Sequence, residues 1–301
     1  AGAGPAGGAP RGPLGGGAVP RPPPPPPVAE PDWLDLREPA DRRARSVELA
    51  GELADALRPG PVRILDIGCG SGATTRWLAP LLPGPQEGVL LDRDPALLAL
   101  VPDRTAAVRD RGDAPVACST RRAEITALTA DDLATFSAVT ASALVDLLTA
   151  GEVDSLAAAC AAARVPALLT LTVTGRVEID PPDPVDPGID AEVTAAFDAH
   201  QRRTVVGRPL LGPDAATATA EAFRQHGMTV RTAASPWRLD DGDRALTTRW
   251  LTERVGAAVE QQSDLERRAT AALHRRLVNR APLRAVIYHI DMLAVPKEGP
   301  P

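Results

Sequence analysis

Aromatic side chains are scarce in this 301-residue sequence, with three Phe, one Tyr and four Trp. A site that sandwiches a flat ligand between rings can therefore form at only a few positions, such as Trp33, Trp237 or Tyr288. Cysteine is rarer still. Cys69, Cys118 and Cys160 are scattered, form no CxxC pair and stand near no histidine at zinc-finger spacing, so reduced thiols are expected and no metal site. A basic excess is also missing. The net charge of −6 and pI near 5.4 argue against a dedicated nucleic-acid binder, because neutralising phosphates demands a positive surface. No apolar run reaches the roughly 18 residues of a membrane span, and the N-terminal stretch lacks the apolar core of a signal peptide. The expectation is a cytoplasmic protein with no membrane partner, present as a monomer or homodimer.

What is there is enough for a full core, with 44% hydrophobic and 24% charged residues. Residues 1–31 differ, being nearly all Gly, Ala and Pro with an unbroken run from Pro22 to Pro27. Such a stretch has too few apolar side chains to offset its ordering entropy, so a disordered tail is expected, with a docking peptide as the alternative. Order is expected from residue 32 to 301. Pro39 suits a first helical turn, and Val47, Ala50, Ala54 and Leu57 recur at helical spacing up to Arg58-Pro59-Gly60. Strand signals at Val62–Ile67, Gly88–Asp92, Val116–Ala123, Phe136–Ala141 and Pro166–Val173 alternate with helical stretches. That alternation predicts a doubly wound, mostly parallel sheet with its ligand at the carboxyl ends of the strands.

A polar, proline-rich excursion follows from Asp180 to Gly188, read as a substrate cover or a plain surface loop. Helices are expected at Ile189–Gln201 and Asp214–His226, and a strand at Met228–Ala233. A charged helical region spans 240–280, where Arg267, Arg268, Arg275, Arg276 and Arg280 read as a solvated face. A final strand is expected over Leu283–Val295, with His289 and Asp291 as internal hydrogen-bond partners.

The stretch that organises the chain is Val62 to Leu78, an apolar run ending in Asp66, then Gly68, Gly70 and Gly72, then helical spacing. Strand, tight turn and helix start together make a nucleotide-binding turn, with backbone N–H groups open to a ligand. Two nucleotides compete for it. Gly68, Gly70 and Ala73 loosely satisfy a dinucleotide fingerprint, with Asp92 near the expected ribose acid. Asp66 ahead of the turn, the third alternating Gly72 and a helix before the first strand favour the other.

In these residues the chain resembles the class I S-adenosylmethionine-dependent methyltransferases, whose motif (D/E)xGxGxG is matched by Asp66, Gly68, Gly70 and Gly72. Within that family it is similar to an uncharacterised bacterial subgroup. The similar segments are Trp33–Pro39, Thr140–Leu148, His200–Arg202, Leu211–Asp214 and Ser235–Leu239. The resemblance implies an α/β, Rossmann-like methyltransferase fold of seven strands, the last antiparallel and beside the sixth. It implies S-adenosylmethionine as cofactor and a small-molecule acceptor methylated at oxygen or nitrogen, with insertions around 176–212 and 236–282 covering the substrate.

On this reading Asp92, with Arg93 beside it, accepts from the ribose hydroxyls. Asp66 orients the glycine loop and reaches the methionine amine. Glu124 meets the adenine amine and Ile125 packs on the ring. Thr140 lines the path to the methyl group. Cys69 is a small side chain fitted between glycines. Arg37, and beside it Arg45, can fork onto the methionine carboxylate or an anionic substrate. His200 is the candidate base, within a possible lid, and Asp146 is a second candidate for orienting the acceptor. No metal is required, because a sulfonium is already a strong electrophile and catalysis is mainly placement.

Overall fold

The computed structural model describes residues 29–278 and 283–297. The proline run and Arg280 lie outside the described residues. Order begins with helix α1 (Pro31–Ala44), where Pro31 occupies the first turn and Pro39 lies inside the helix rather than opening it. The helical stretch read as one element is two. Arg45 leaves the helical region, and Ser46 then caps α2 (Val47–Ala56) through its hydroxyl, which accepts from Leu49 N.

The core alternates as its apolar runs and turn residues dictate. Strand β1 (Val62–Ile67) leads through the glycine turn into α3 (Ala73–Leu78), then β2 (Gln86–Asp92), α4 (Pro95–Thr105), β3 (Ala117–Arg122), the short α5 (Ala130–Leu133) and β4 (Ala138–Ser142). Helix α6 (Ala150–Ala163) starts at a reciprocal cap in which Thr149 and Glu152 satisfy each other's backbone N–H groups. Strand β5 (Ala167–Asp180) runs seven residues past its expected end at Val173. Then come α7 (Ile189–Gln201), a hairpin of β6 (Thr204–Val205) and β7 (Arg208–Pro209), α8 (Ala215–Gln225), β8 (Met228–Ala234), β9 (Trp237–Leu239), α9 (Arg244–Gln261), α10 (Glu266–Val278) and β10 (Arg284–Pro296). The hairpin and β9 were not expected from the sequence, being two or three residues long.

The sheet order is β3-β2-β1-β4-β5-β10-β8, and β9 pairs with the outer part of β10. Strands β1 to β5 are mutually parallel, and β10 enters antiparallel between β5 and β8. The sheet is buried on both sides. Val139, Leu169, Leu156 and Phe223 form one core, and Ile64, Leu168, Leu53 and Trp77 the other. Asp291 fastens the first two helices to this sheet: it is fully buried, Oδ1 accepts from Leu171 N at 2.8 Å and Oδ2 from Ser46 N at 2.7 Å. Leu171 takes a left-handed φ of +57° where the β5–β10 register shifts, so the carboxylate satisfies an N–H that the bulge removes from the ladder.

Beyond the common sheet, the outer halves of β5 and β10 join β9 under α1 and α9, burying Ala40, Trp237, Leu246, Ala285 and Ile287. Helices α7, α9 and α10 pack on one another through a separate core that includes Ile189, Val193, Val255, Ala258 and Ala269. Of the arginines read as a solvated face, Arg267 is exposed, but Arg268, Arg275 and Arg276 form a clamp instead. Arg275 forks onto the buried Asp183 at 2.7 and 3.0 Å, Arg276 onto Asp190 at 2.6 and 2.7 Å, and Arg268 onto Asp186 and Glu192. Linear spacing cannot show that the acidic excursion folds back across this helix.

Candidate active site

The turn between β1 and α3 is the floor of the site. Gly68 and Gly70 hold φ of +62° and +54°, which L side chains rarely adopt. A Cβ at Gly68 would lie 2.9 Å from a Leu144 methyl, and one at Gly70 would lie 3.0 Å from a Leu34 methyl. Two leucines from distant elements thus lie on the turn, one from the loop after β4 and one from α1. Neither was singled out in the sequence, since nothing in the spacing of Leu34 or Leu144 relates it to a glycine elsewhere in the chain.

Helix α1 is latched over this floor at two points. Glu38 takes the fork of Arg76, whose Nη1 also donates to Ser71 O at 2.7 Å. Asp35 takes the fork of Arg104, whose Nη1 donates to Ser71 Oγ at 3.0 Å. Cys69 is buried with Leu90, Leu98 and Val101, and burial raises its thiol pKa far out of the reactive range.

Around the floor stand the acids. Asp92 closes β2, with Oδ2 accepting from Gly70 N at 2.9 Å and Oδ1 from Asp94 N at 3.0 Å, so it ties the second strand to the glycine turn. Arg93 follows it and is half-buried. Asp66 is 2% exposed. Its Oδ1 accepts from Thr140 Oγ1 at 2.8 Å across the paired β1 and β4, while Oδ2 has no partner. Burial pushes the Asp66 carboxyl up to about 7, against the pull of the Thr140 hydrogen bond and the charge of Arg45. Glu124 is exposed just before the turn Ile125–Ala127, and Ile125 packs against the core below.

Asp146 lies in the turn Val145–Leu147 after β4, two residues beyond Leu144. Its Oδ1 is buried without a partner. Burial raises its pKa, and the charge of Arg37 works the other way. Arg37 itself forks onto Asp41, Nε to Oδ2 at 3.0 Å and Nη2 to Oδ1 at 3.3 Å, and its guanidinium lies 5.2 Å from the centre of the Trp237 ring. Trp237 donates through Nε1 to Asp41 Oδ1 at 2.9 Å and stacks against His289 at 5.4 Å. Burial and the Arg37 charge bring the His289 pKa down to about 3, so this imidazole is neutral.

His200 is placed elsewhere. It is half-buried near the end of α7, Nε2 lies 3.4 Å from Glu260 Oε2 on α9, and Nδ1 is 3.2 Å from Arg203 Nη1. Burial and the Arg203 charge lower its pKa. Both ring nitrogens thus face protein groups of the helical cover. The turn floor, Asp66, Thr140 and Asp92 are brought together by direct contacts, with Asp146 beside the leucine that covers Gly68; His200 touches none of them.

Residues 64–166 match a family model described as a methyltransferase domain. No curated protein matches the chain in sequence. Among solved structures it is similar to the cyclopropane synthase MmaA2 from Mycobacterium tuberculosis, at 16% identity over 88% of this chain and 94% of that chain, with a TM-score of 0.49. It is also similar to a SAM-dependent methyltransferase from Thiobacillus denitrificans in complex with S-adenosyl-L-homocysteine, at 17% identity over 89% and 100%, with a TM-score of 0.43. Identities and scores this low leave the site to be judged on this chain's own residues. The sheet order with its inserted antiparallel strand and the complete glycine turn agree with the methyltransferase domain that residues 64–166 match. The residues present suit S-adenosylmethionine, the cofactor that the resemblance implies. Gly68, Gly70 and Gly72 bring no side chain to the turn, an acid ends β2, and a buried acid keeps an unpartnered oxygen. Among the described residues no three His, Cys, Asp or Glu could hold a metal ion, and no helix is long and apolar enough to cross a membrane.

Proposed function

We propose that the enzyme methylates an oxygen or nitrogen of a small-molecule acceptor in the cytoplasm, with Asp146 taking the acceptor's proton. The observation that carries this is the unpartnered, buried Oδ1 of Asp146 near the glycine turn, with its pKa raised by burial. The sulfonium supplies an electrophilic methyl group. An O–H or N–H nucleophile sheds a proton as it gains that methyl, and a carboxylate with an open lone pair can accept it, whereas an acceptor carbon of an alkene would need no such partner until later. In this assignment Asp92 receives the ribose hydroxyls, with Arg93 at the rim. Glu124 and Ile125 receive the adenine, Thr140 holds Asp66 in place, and the backbone of Gly68, Cys69 and Gly70 lines the floor. The charge of Arg37 favours the ionised form of Asp146.

Helices α7, α9 and α10 with the clamped 180–188 excursion cover the acceptor and exclude water, which strengthens the electrostatics inside. His200 belongs to this cover and serves it structurally, through Glu260 and Arg203.

Calorimetry with S-adenosylhomocysteine, followed by incubation of small-metabolite extracts with methyl-labelled cofactor, tests the reading. Label is expected on a hydroxyl or amine product. Asp146→Asn is expected to lower turnover by about 10²–10³ with cofactor affinity kept, the usual size for a positioned base. His200→Ala is expected to leave the pH profile unchanged. Absence of cofactor binding, or label found only on carbon, would overturn the proposal.

A further inference from the structure

The helical cover holds a positive charge that no carboxylate pairs. Arg254 on α9 is 3% exposed. Its guanidinium lies 4.5 Å from the centre of the Phe197 ring and 5.6 Å from that of Trp250, and Nη2 donates to Thr194 Oγ1 at 3.0 Å. Among the described residues it makes no other hydrogen bond and no ion pair. The acids whose charge it feels are engaged elsewhere. Asp190 takes the fork of Arg276, and Asp198 packs against Gly175, where a Cβ would lie 2.6 Å from Oδ2. Burial brings the Arg254 pKa down to about 10, opposed by the charges of Asp198 and Asp190, so the group stays protonated near neutral pH. A buried charge of this kind is costly without a counterion.

A space for one lies beside it. Between α7, α9, α10 and the outer part of β5 is a cavity of about 10 Å³, room for one occupant the size of a water molecule. Arg254 and Arg276 both line it. Arg276 spends Nη1 and Nη2 on Asp190, and its Nε is buried without a partner. Asp190 is the one acid in the lining, and the remaining walls are apolar, Val193, Leu251 and Ala272 among them. Water in such a place must donate as well as accept, and the lining side chains offer two cationic donors against one carboxylate already engaged. A halide only accepts, takes N–H groups from several directions and tolerates apolar walls. The lining therefore suits a small anion better than it suits water.

We infer that this cavity is a chloride site, with Arg254 and Nε of Arg276 as its donors, and that the ion ties α7, α9 and α10 into one cover. The chloride supplies the negative charge that Arg254 lacks, and Thr194 is the positioning residue that holds the guanidinium against it. None of these residues belongs to the glycine turn, so the inference stands apart from the methyltransferase reading and fails or holds without it.

The experiment melts the full chain in sodium chloride and in sodium gluconate at equal ionic strength, gluconate being too bulky for the cavity. Chloride at about a tenfold excess over its Kd is expected to raise the melting temperature by about 3 °C relative to gluconate. Arg254→Met, which keeps an apolar stem and removes the charge, is expected to melt at the same temperature in both salts. Diffraction at the bromine absorption edge from crystals soaked in sodium bromide is expected to place an anomalous peak between Arg254 and Arg276, and it keeps the test decisive if Arg254→Met does not fold. Equal melting of the wild type in both salts, a chloride response that survives in a folded Arg254→Met, or a cavity that holds water and no bromide would overturn the inference. A bromide peak without any chloride effect on melting would show an adventitious ion only, and would overturn it as well.

Discussion

Asp66 carries the pKa shift that bears most on the proposed cofactor site. Its carboxyl is pushed up to about 7, so near neutral pH the empty site holds a mixture of protonated and ionised forms. If Asp66 receives the cofactor ammonium, as proposed from the resemblance, only its ionised form can accept with both oxygens, and binding would draw the proton off. Cofactor affinity is therefore expected to rise as pH increases from about 6 to 8, with proton release on binding that calorimetry in buffers of different ionisation enthalpy would register. Asp66→Asn should flatten that dependence. For the empty protein the sign is opposite. A carboxyl whose folded pKa is raised gives stability at low pH that is lost as pH climbs from about 4 through 7, so the same residue couples a weaker apo fold to a tighter site. Asp66 and the glycines after it were legible in the sequence because motif spacing fixes them within a few residues. Arg37 and Arg45 were legible only as two arginines ahead of the core; that Arg37 forks onto Asp41 while Arg45 Nη2 donates to Ser142 Oγ is visible only in the fold.

At the scale of elements, the clearest device is the clamp between the acidic excursion and α10. Asp183 is 1% exposed. It accepts from Val185 N and Asp186 N as well as from both arms of Arg275, and these bonds lower its pKa to about 2. Arg275→Ala leaves that carboxylate with its backbone donors alone, and a lower urea midpoint is expected at neutral pH. The sign with pH follows from the lowered pKa: the clamp's stability is present above about pH 4 and lost as pH falls toward 2, so the wild type and the variant should converge in acid. An unchanged midpoint at pH 7 would show that the clamp contributes nothing. The sequence placed α7 at Ile189–Gln201 with its bounds correct, because the excursion before it and the apolar spacing within it agree. It misplaced the start of α1, because Pro39 is tolerated inside that helix while Pro31 opens it. It also misread Arg268, Arg275 and Arg276, whose partners lie 76 to 92 residues away along the chain.

Taken whole, the described residues form one large sheet and a small hairpin, with the glycine turn at the carboxyl end of β1 and a helical cover built from chain on either side of β8. Ligand binding to such a floor stabilises the folded state by mass action. S-adenosylhomocysteine at about 100 times its Kd is expected to add about 2.7 kcal/mol, raising the melting temperature by roughly 5 °C for a chain of this size. A nicotinamide dinucleotide at the same concentration should leave the melting temperature unchanged; a shift with that ligand instead would return the turn to the competing dinucleotide reading.

The sequence by itself determined the strand–turn–helix around Gly68, Gly70 and Gly72, the parallel order through β5 and the acid that ends β2. Each of these follows from local spacing, and backbone sterics read local spacing directly. Only the tertiary structure decided that Leu34 and Leu144 lie on the turn, that Asp291 holds Ser46 and Leu171 together, and that the buried Arg45 keeps two nitrogens without a partner. Those facts depend on which polar atoms are satisfied once the chain has closed, and satisfaction is settled by packing across elements far apart in sequence.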